Sequence, residues 1–333
     1  MIKKIDPQMT DNMTLPSNTD QWINLDHPSL RGVASQYHFE RLGSAPFVSK
    51  NVDVLSKHSS GINMMFETNS THIKVKASLI GAAYMAHMTA VATVGFDLYV
   101  LKRGKWVFLA TTKVNASEYE VTLLEGLTPI KRTYRLYFPL YQAVNSAYLG
   151  IDYKASYGFL KPEQEKIVIY GTSISQGGCA SRPGLSYGSM LDRRLPYEVI
   201  NLGFSGSAHM EEAMIDILKS IPKRWLILEL EANNDTTIHE KISNFLNKIP
   251  DERVILMSHF PLSMSLLKPD IKKRLIRNRC AQQEASKNII FIDGTRLLHK
   301  YGYDETVDGV HLNDIGFYAI ANYLEKVINN DGK

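Results

Sequence analysis

Hydrophobic and polar residues follow two different rhythms along this chain. In the first half the apolar runs are short, and several alternate with polar residues. Gly61–Thr68 and Thr71–Ala77 stand on either side of Asn69-Ser70, and in the second run Ile73, Val75 and Ala77 alternate with lysines. Val94–Val100 and Lys105–Ala110 flank the basic turn Lys102-Arg103-Gly104, which is a hairpin signal. Tyr119–Leu123, Lys131–Phe138 and Ala147–Ile151 continue the series. Alternation sends successive side chains to opposite faces of a sheet, and no stretch here has the length and period of a covering helix. The pattern predicts a two-sheet antiparallel β-sandwich, jelly-roll-like, over residues 20–160.

The second half changes period. Ile167–Tyr170, Glu198–Leu202, Leu226–Leu230, Val254–Met257 and Ile289–Ile292 are short apolar runs whose spacing leaves room for crossover helices. Met210–Leu218, Ile238–Leu246, Ile271–Ala285 and Ile315–Val327 are the helix candidates. Strands that are apolar on both faces and separated by helices predict a parallel sheet covered on both sides, an α/β/α domain over residues 167–331. The polar stretch 161–166, with Pro162, reads as the linker, and residues 1–19 as a loosely held arm.

Composition narrows the function classes. The chain has 333 residues, 44% hydrophobic and 22% charged, which is globular. Its net charge of +4 is a small excess for that length. Lys272-Lys273-Arg274 with Arg277 and Arg279 reads as the solvated face of a helix, so no nucleic-acid partner is expected. No run of about 18 apolar residues occurs, so neither a spanning helix nor a membrane partner is expected. The start, Met1–Pro7, lacks the apolar core of a signal peptide. Localisation is then cytoplasmic unless a leader has been removed, in which case it is secreted or periplasmic. Cys179 and Cys280 are the only cysteines, and sequence does not say whether they pair. His38, His58, His72 and His87 are scattered without metal-ligand spacing, so neither a catalytic metal nor another cofactor is expected. Met85-Ala86-His87-Met88 reads as a loop over core packing.

In an open parallel sheet the ligand sits at the carboxyl ends of the strands. The residues there are Gly171-Thr172-Ser173, Asn201-Leu202-Gly203-Phe204-Ser205-Gly206, Glu231-Ala232-Asn233-Asn234 and, before the last helix, Asp308-Gly309-Val310-His311. Taken singly, Ser173 or either asparagine is explained as a helix cap. Together they form one polar set, drawn from distant parts of the chain, that would meet along one edge of the sheet. Serine needs a base within hydrogen-bond reach, imidazole supplies one near neutral pH, and a carboxylate can hold the far ring nitrogen.

These blocks resemble the SGNH branch of the GDSL hydrolases. Ser173 stands at the nucleophile position, Gly203 and Asn233 at the second and third blocks, and Asp308 with His311 at the last. Thr172 stands where aspartate is commonest, and the third block lacks its leading glycine and final aspartate. Phe39-Glu40-Arg41-Leu42 and Gly95-Phe96-Asp97-Leu98-Tyr99 are similar to the signatures of the GxDLY β domain, which precedes an SGNH domain in a group of bacterial carbohydrate esterases. The resemblance implies a triad of Ser173, Asp308 and His311. It also implies an oxyanion hole from the Ser173 and Gly203 amides and the Asn233 side chain. Glu231, Gln176 and Arg182 are candidates for the substrate rim. The implied activity is hydrolysis of short acyl esters, acetyl first, on a sugar or oligosaccharide. The alternative is a carbohydrate-binding or structural module that keeps the fold without turnover.

Overall fold

The computed structural model describes residues 12–13, 20–35, 38–298 and 300–331. Apart from Asn12 and Met13, the arm read at 1–19 lies outside the described residues. The alternating half forms β1 (Asp20–Asn24), α1 (Lys50–Ser56), β2 (Asn63–Thr68), β3 (Ile73–Leu79), α2 (Ala90–Val94), β4 (Asp97–Lys102), β5 (Lys105–Thr111), β6 (Glu118–Leu124), β7 (Arg132–Tyr137), β8 (Val144–Asp152) and β9 (Tyr157–Phe159). The strands build two antiparallel sheets, in the orders β1-β8-β3-β6 and β5-β4-β7-β2-β9. The inward positions of both, among them Phe66, Val75, Leu98, Val121, Leu136 and Leu149, form one apolar core. This is the expected sandwich. Helices α1 and α2 went unforeseen because each is too short to show a period. Side-chain caps from Ser49 and Thr89 start them.

The second half forms β10 (Lys166–Gly171), α3 (Ser173–Gln176), α4 (Tyr187–Arg194), β11 (Glu198–Gly203), α5 (Glu212–Ser220), β12 (Trp225–Glu229), α6 (Ile238–Asn247), β13 (Val254–Met257), α7 (Pro269–Ala285), β14 (Ile290–Ile292) and α8 (Asp314–Asp331). The strands pair in parallel in the order β11-β10-β12-β13-β14. Ile167, Ile169, Ile227 and Ile255 join one core with Tyr187 and Leu191 of α4 and Phe317 and Leu324 of α8. Val168, Tyr170, Leu226 and Leu228 join a second core with Met214 and Leu218 of α5 and Ile242 and Phe245 of α6. Helix α4 was also unforeseen. Its Gly188 and Ser189 interrupt the apolar period, but both are buried, and Gly188 lies against Ile169 and Val199.

The two halves are joined by buried polar groups rather than by apolar contact alone. Asp192 of α4 accepts from Arg135 at 2.6 Å, from Tyr137 at 2.7 Å and from Asn63 at 3.3 Å, all from the sandwich. Asp97 of the Gly-x-Asp-Leu-Tyr motif accepts from Arg182 at 2.7 Å and from the Gly184 amide at 2.8 Å. Arg41, fully buried, donates to the carbonyls of Asn201 and Gly203 at 2.9 and 2.6 Å and lies over the Phe204 ring. Burial pushes its guanidinium down to about 9, so it is still cationic at neutral pH. Both sandwich signatures therefore grip the ends of strands and loops that carry the candidate site.

Candidate active site

The chain leaves β10 through Gly171, where an added Cβ would collide with Ser175. Thr172 caps α3, its hydroxyl accepting from the Ile174 amide at 3.3 Å and donating to Glu229 Oε2 at 2.6 Å. The same carboxyl accepts from the Thr172 amide at 3.2 Å and from Ser175 Oγ at 3.1 Å. Burial raises Glu229 to about 7, against the opposing pull of those hydrogen bonds. The carboxyl beneath the nucleophile turn thus comes from the end of β12, with Thr172 as its partner. Gly177, at φ 101°, ends α3 after one turn, a conformation that favours glycine. Ser173 is 8% exposed at the head of this turn.

Ser173 Oγ lies 3.0 Å from His311 Nε2, and His311 Nδ1 lies 2.8 Å from Asp308 Oδ2. The other Asp308 oxygen accepts from the amides of His311 at 2.7 Å and Val310 at 3.0 Å. Partial burial works to raise Asp308, but the His311 ring and these amides outweigh it and hold the carboxyl below its ordinary value. Asp308 is therefore ionised and able to orient the imidazole at neutral pH. Asn313 caps α8 through the amides of Ile315 and Gly316 and so fixes the loop that ends at His311.

The two neighbouring asparagines that follow β12 have separate partners. Asn233 Oδ1 accepts from the Ala208 amide at 3.1 Å, and Asn233 Nδ2 has no acceptor among the described residues. Asn234 is buried, and its Nδ2 donates to the carbonyls of Ala208 at 2.7 Å and Leu230 at 2.8 Å. The Ser173 amide heads α3, in the first turn, where helix amides lack a partner in their own helix.

Gly203 does not fit the oxyanion expectation. Its amide donates to Asn201 Oδ1 at 2.8 Å, and an added Cβ would strike the backbone of Ser175 and Gln176. Its lack of a side chain lets β11 lie against α3. Gly206, three residues on, is a second glycine, which the sequence reading did not weigh. It is exposed at φ 67°, and its amide has no acceptor among the described residues. The neighbouring Ser205 donates its amide to Gln176 and its side chain reaches Tyr141, whose hydroxyl in turn reaches the Ser173 carbonyl. The signal was present as a second glycine in Asn201–Gly206, but the Asn201 side chain, not spacing, decides which amide is free.

Two of the three substrate-rim expectations are corrected, those for Glu231 and Gln176. Glu231 is 2% exposed, and its Oε2 accepts from the His259 amide and from Gln282 Nε2, both at 2.8 Å. Gln176 is fully buried between the halves, donating to His58 and the Leu140 carbonyl and accepting from the Ser205 amide. Arg182 is held by Asp97 and by Tyr99, and it covers the Phe108 ring at 3.7 Å. Glu231 and Gln176 are thus turned into the protein, whereas Arg182 is half-buried and lines a cavity with Tyr99, Trp106, Phe108 and Arg193 that none of Ser173, Asp308 and His311 lines. Cys179 and Cys280 are both free. No helix among the described residues is long and apolar enough to cross a membrane.

Residues 164–329 match the GDSL-like Lipase/Acylhydrolase family, and residues 21–157 match the N-terminus of the Esterase_SGNH_hydro type, GxDLY. No curated protein matches. A solved protein from Bacteroides ovatus ATCC 8483, described as a GDSL-like lipase, is similar with a TM-score of 0.85 and 29% identity, covering 93% of this chain and 97% of that one. The salicylyl-acyltransferase SsfX3 from a tetracycline biosynthetic pathway shares the fold, with a TM-score of 0.75, 17% identity and coverage of 95% and 99%. A family two carbohydrate esterase from Clostridium thermocellum, solved in complex with cellohexaose, gives a TM-score of 0.50, 16% identity and coverage of 82% and 93%. With both halves matched in order, the chain belongs to the GDSL-like lipase/acylhydrolase family, in the form that carries an N-terminal GxDLY domain.

Proposed function

We propose that the chain is a serine esterase that removes short acyl groups, acetyl first, from carbohydrate. The observation that carries the proposal is the unbroken relay Ser173 Oγ, His311 Nε2, His311 Nδ1, Asp308 Oδ2, at 3.0 and 2.8 Å. His311 takes the Ser173 proton as Oγ attacks the acyl carbon, and it returns that proton to the departing sugar oxygen. Water, deprotonated by the same imidazole, then releases the acyl group. The charge that develops on the carbonyl oxygen meets the Ser173 amide, Asn233 Nδ2 and the Gly206 amide.

Two further observations support the finer assignment. Ser173 is nearly buried, and Gly178 packs beside the Ser173 carbonyl, Tyr141 and His311, so the nucleophile sits in confined surroundings, which favours a small acyl group. Esterases of this shape include one solved with an oligosaccharide. The test is a series of aryl esters of increasing acyl length, run beside an acetylated oligosaccharide with acetate release as readout. The proposal expects acetyl esters to have the highest kcat/KM, acetate to be released from the oligosaccharide, and both to vanish in Ser173→Ala. Preference for long-chain esters would overturn the acyl assignment, and an untouched acetylated oligosaccharide would overturn the sugar assignment. Oligosaccharide binding with no hydrolysis of any ester would support the binding-module reading instead.

A further inference from the structure

His87, Cys179 and His311 come from three distant segments, yet one ligating atom of each lies within 4.8 Å of the other two. His87 is exposed on the loop between β3 and α2, and its ring stands 5.7 Å from that of His311. Cys179 is buried just beyond the nucleophile turn, at φ 73°, a left-handed conformation that costs a residue with a side chain on the order of 1 kcal/mol or more. The three segments are tied to one another. Thr89 donates to the Ser181 carbonyl at 2.6 Å, and Ser181 donates its amide and hydroxyl to Asp314 at 2.9 and 2.5 Å. Met88, next to His87, is buried in the core beneath. The cluster is thus held by the fold and does not depend on a mobile loop.

We infer that His87, Cys179 and His311 form an inhibitory binding site for Zn²⁺. Two imidazoles and a thiolate are the donor set of a borderline-soft divalent cation, and three protein ligands leave one position for water. Zinc bonds of about 2.0–2.3 Å place tetrahedral ligands about 3.4–3.6 Å apart, so closing the cluster needs movement of about 1 Å. On binding, one Zn–S and two Zn–N bonds form, and the Cys179 thiol proton leaves to solvent. His311 binds through Nε2, because Asp308 already holds Nδ1, and a carboxylate on the far nitrogen is the usual outer partner of a zinc-bound histidine. That same Nε2 is the atom within 3.0 Å of Ser173 Oγ. The ion and the nucleophile therefore compete for one nitrogen, and bound zinc silences the esterase reversibly. The inhibitory consequence rests on His311 being the catalytic base, whereas the site itself does not.

Two measurements separate those claims. The first uses Co²⁺ as a spectroscopic substitute for zinc on Ser173→Ala, where no turnover is needed. The site predicts one ion per chain with a near-ultraviolet thiolate-to-cobalt band, displaced by Zn²⁺ and lost in Ser173→Ala combined with Cys179→Ser. No bound ion, or a band that survives loss of Cys179, overturns the site. The second follows aryl acetate hydrolysis against Zn²⁺ in the parent, Cys179→Ser and His87→Asn, each read against its own metal-free rate, with recovery on chelation. His87 is exposed, so its replacement spares the fold. Each variant should need at least about 10-fold more Zn²⁺ for half-inhibition, since disturbing even an outer partner of a zinc ligand costs about that factor. Equal inhibition of all three proteins overturns the inference, as does an active parent that zinc does not inhibit.

Discussion

Replacing each of the two adjacent asparagines with alanine separates their roles by two independent readouts. Asn233 uses only its oxygen among the described residues, on the Ala208 amide, and its Nδ2 has no acceptor there. Losing one oxyanion donor costs about 2.7–4 kcal/mol of transition-state stabilisation, or about 100- to 1000-fold in kcat. KM should change much less, because the interaction forms mainly as charge develops. Asn234 is the reverse case. Its amide satisfies the buried carbonyls of Ala208 and Leu230, so Asn234→Ala removes two hydrogen bonds worth about 1 kcal/mol each and leaves both oxygens unpaired. A loss of about 2 kcal/mol lowers Tm by about 4–8 °C in a domain of this size. The assay pairs steady-state kinetics on an aryl acetate with thermal melts of both variants. Asn233→Ala should be slow and stable, Asn234→Ala unstable with a milder rate defect. A stable Asn233→Ala that turns over at the parent rate would remove Asn233 from the oxyanion hole.

Two other perturbations probe the framework around the site. Glu229 titrates at about 7 in the fold against about 4.5 for a free carboxyl, so between those values the folded chain holds a proton that the unfolded chain has released. The stability it contributes is fully present below about pH 4.5 and is lost as pH rises through about 7; melts from about pH 4 to about pH 8 should show this slope in the parent and a flatter profile in Glu229→Gln, and equal slopes would refute the account. Asp192→Ala leaves the buried Arg135 without its carboxylate partner, and breaking such a pair costs about 3–5 kcal/mol, so Tm should fall by about 6–20 °C. An unchanged melt would mean that the polar seam between the halves contributes little.

The fold was largely legible because apolar periodicity survives packing. Runs such as Val254–Met257 and Ile238–Asn247 stand in the structure almost where the pattern put them. Short helices were not legible, since α2 and α4 depend on caps and on tertiary packing rather than on a period. At the site, Ser173, Asp308 and His311 were named because their blocks resemble those of the SGNH hydrolases, since singly Ser173 reads as a helix cap. Between the two glycines of Asn201–Gly206 the sequence could not choose, because it does not show that the Asn201 side chain takes the Gly203 amide. Glu231 and Gln176 misled for a related reason. A polar residue just after a strand or a nucleophile turn reads as exposed, and only the structure supplies the buried surroundings that hide it. Asp97 and Arg41 were recognisable as letters of a motif, but their grip on Gly184 and Gly203 became visible only when the halves came together.

The central claim is that Ser173 is the nucleophile and His311 its base. Treatment with an aryl fluorophosphonate, followed by digestion and mass measurement, tests it most directly. The relay predicts one phosphonyl group per chain, on the peptide containing Ser173. Labelling should be absent in Ser173→Ala and slowed by orders of magnitude in His311→Ala, in parallel with ester hydrolysis. Label on any other residue, or ester hydrolysis by a folded Ser173→Ala at the parent rate, would contradict it.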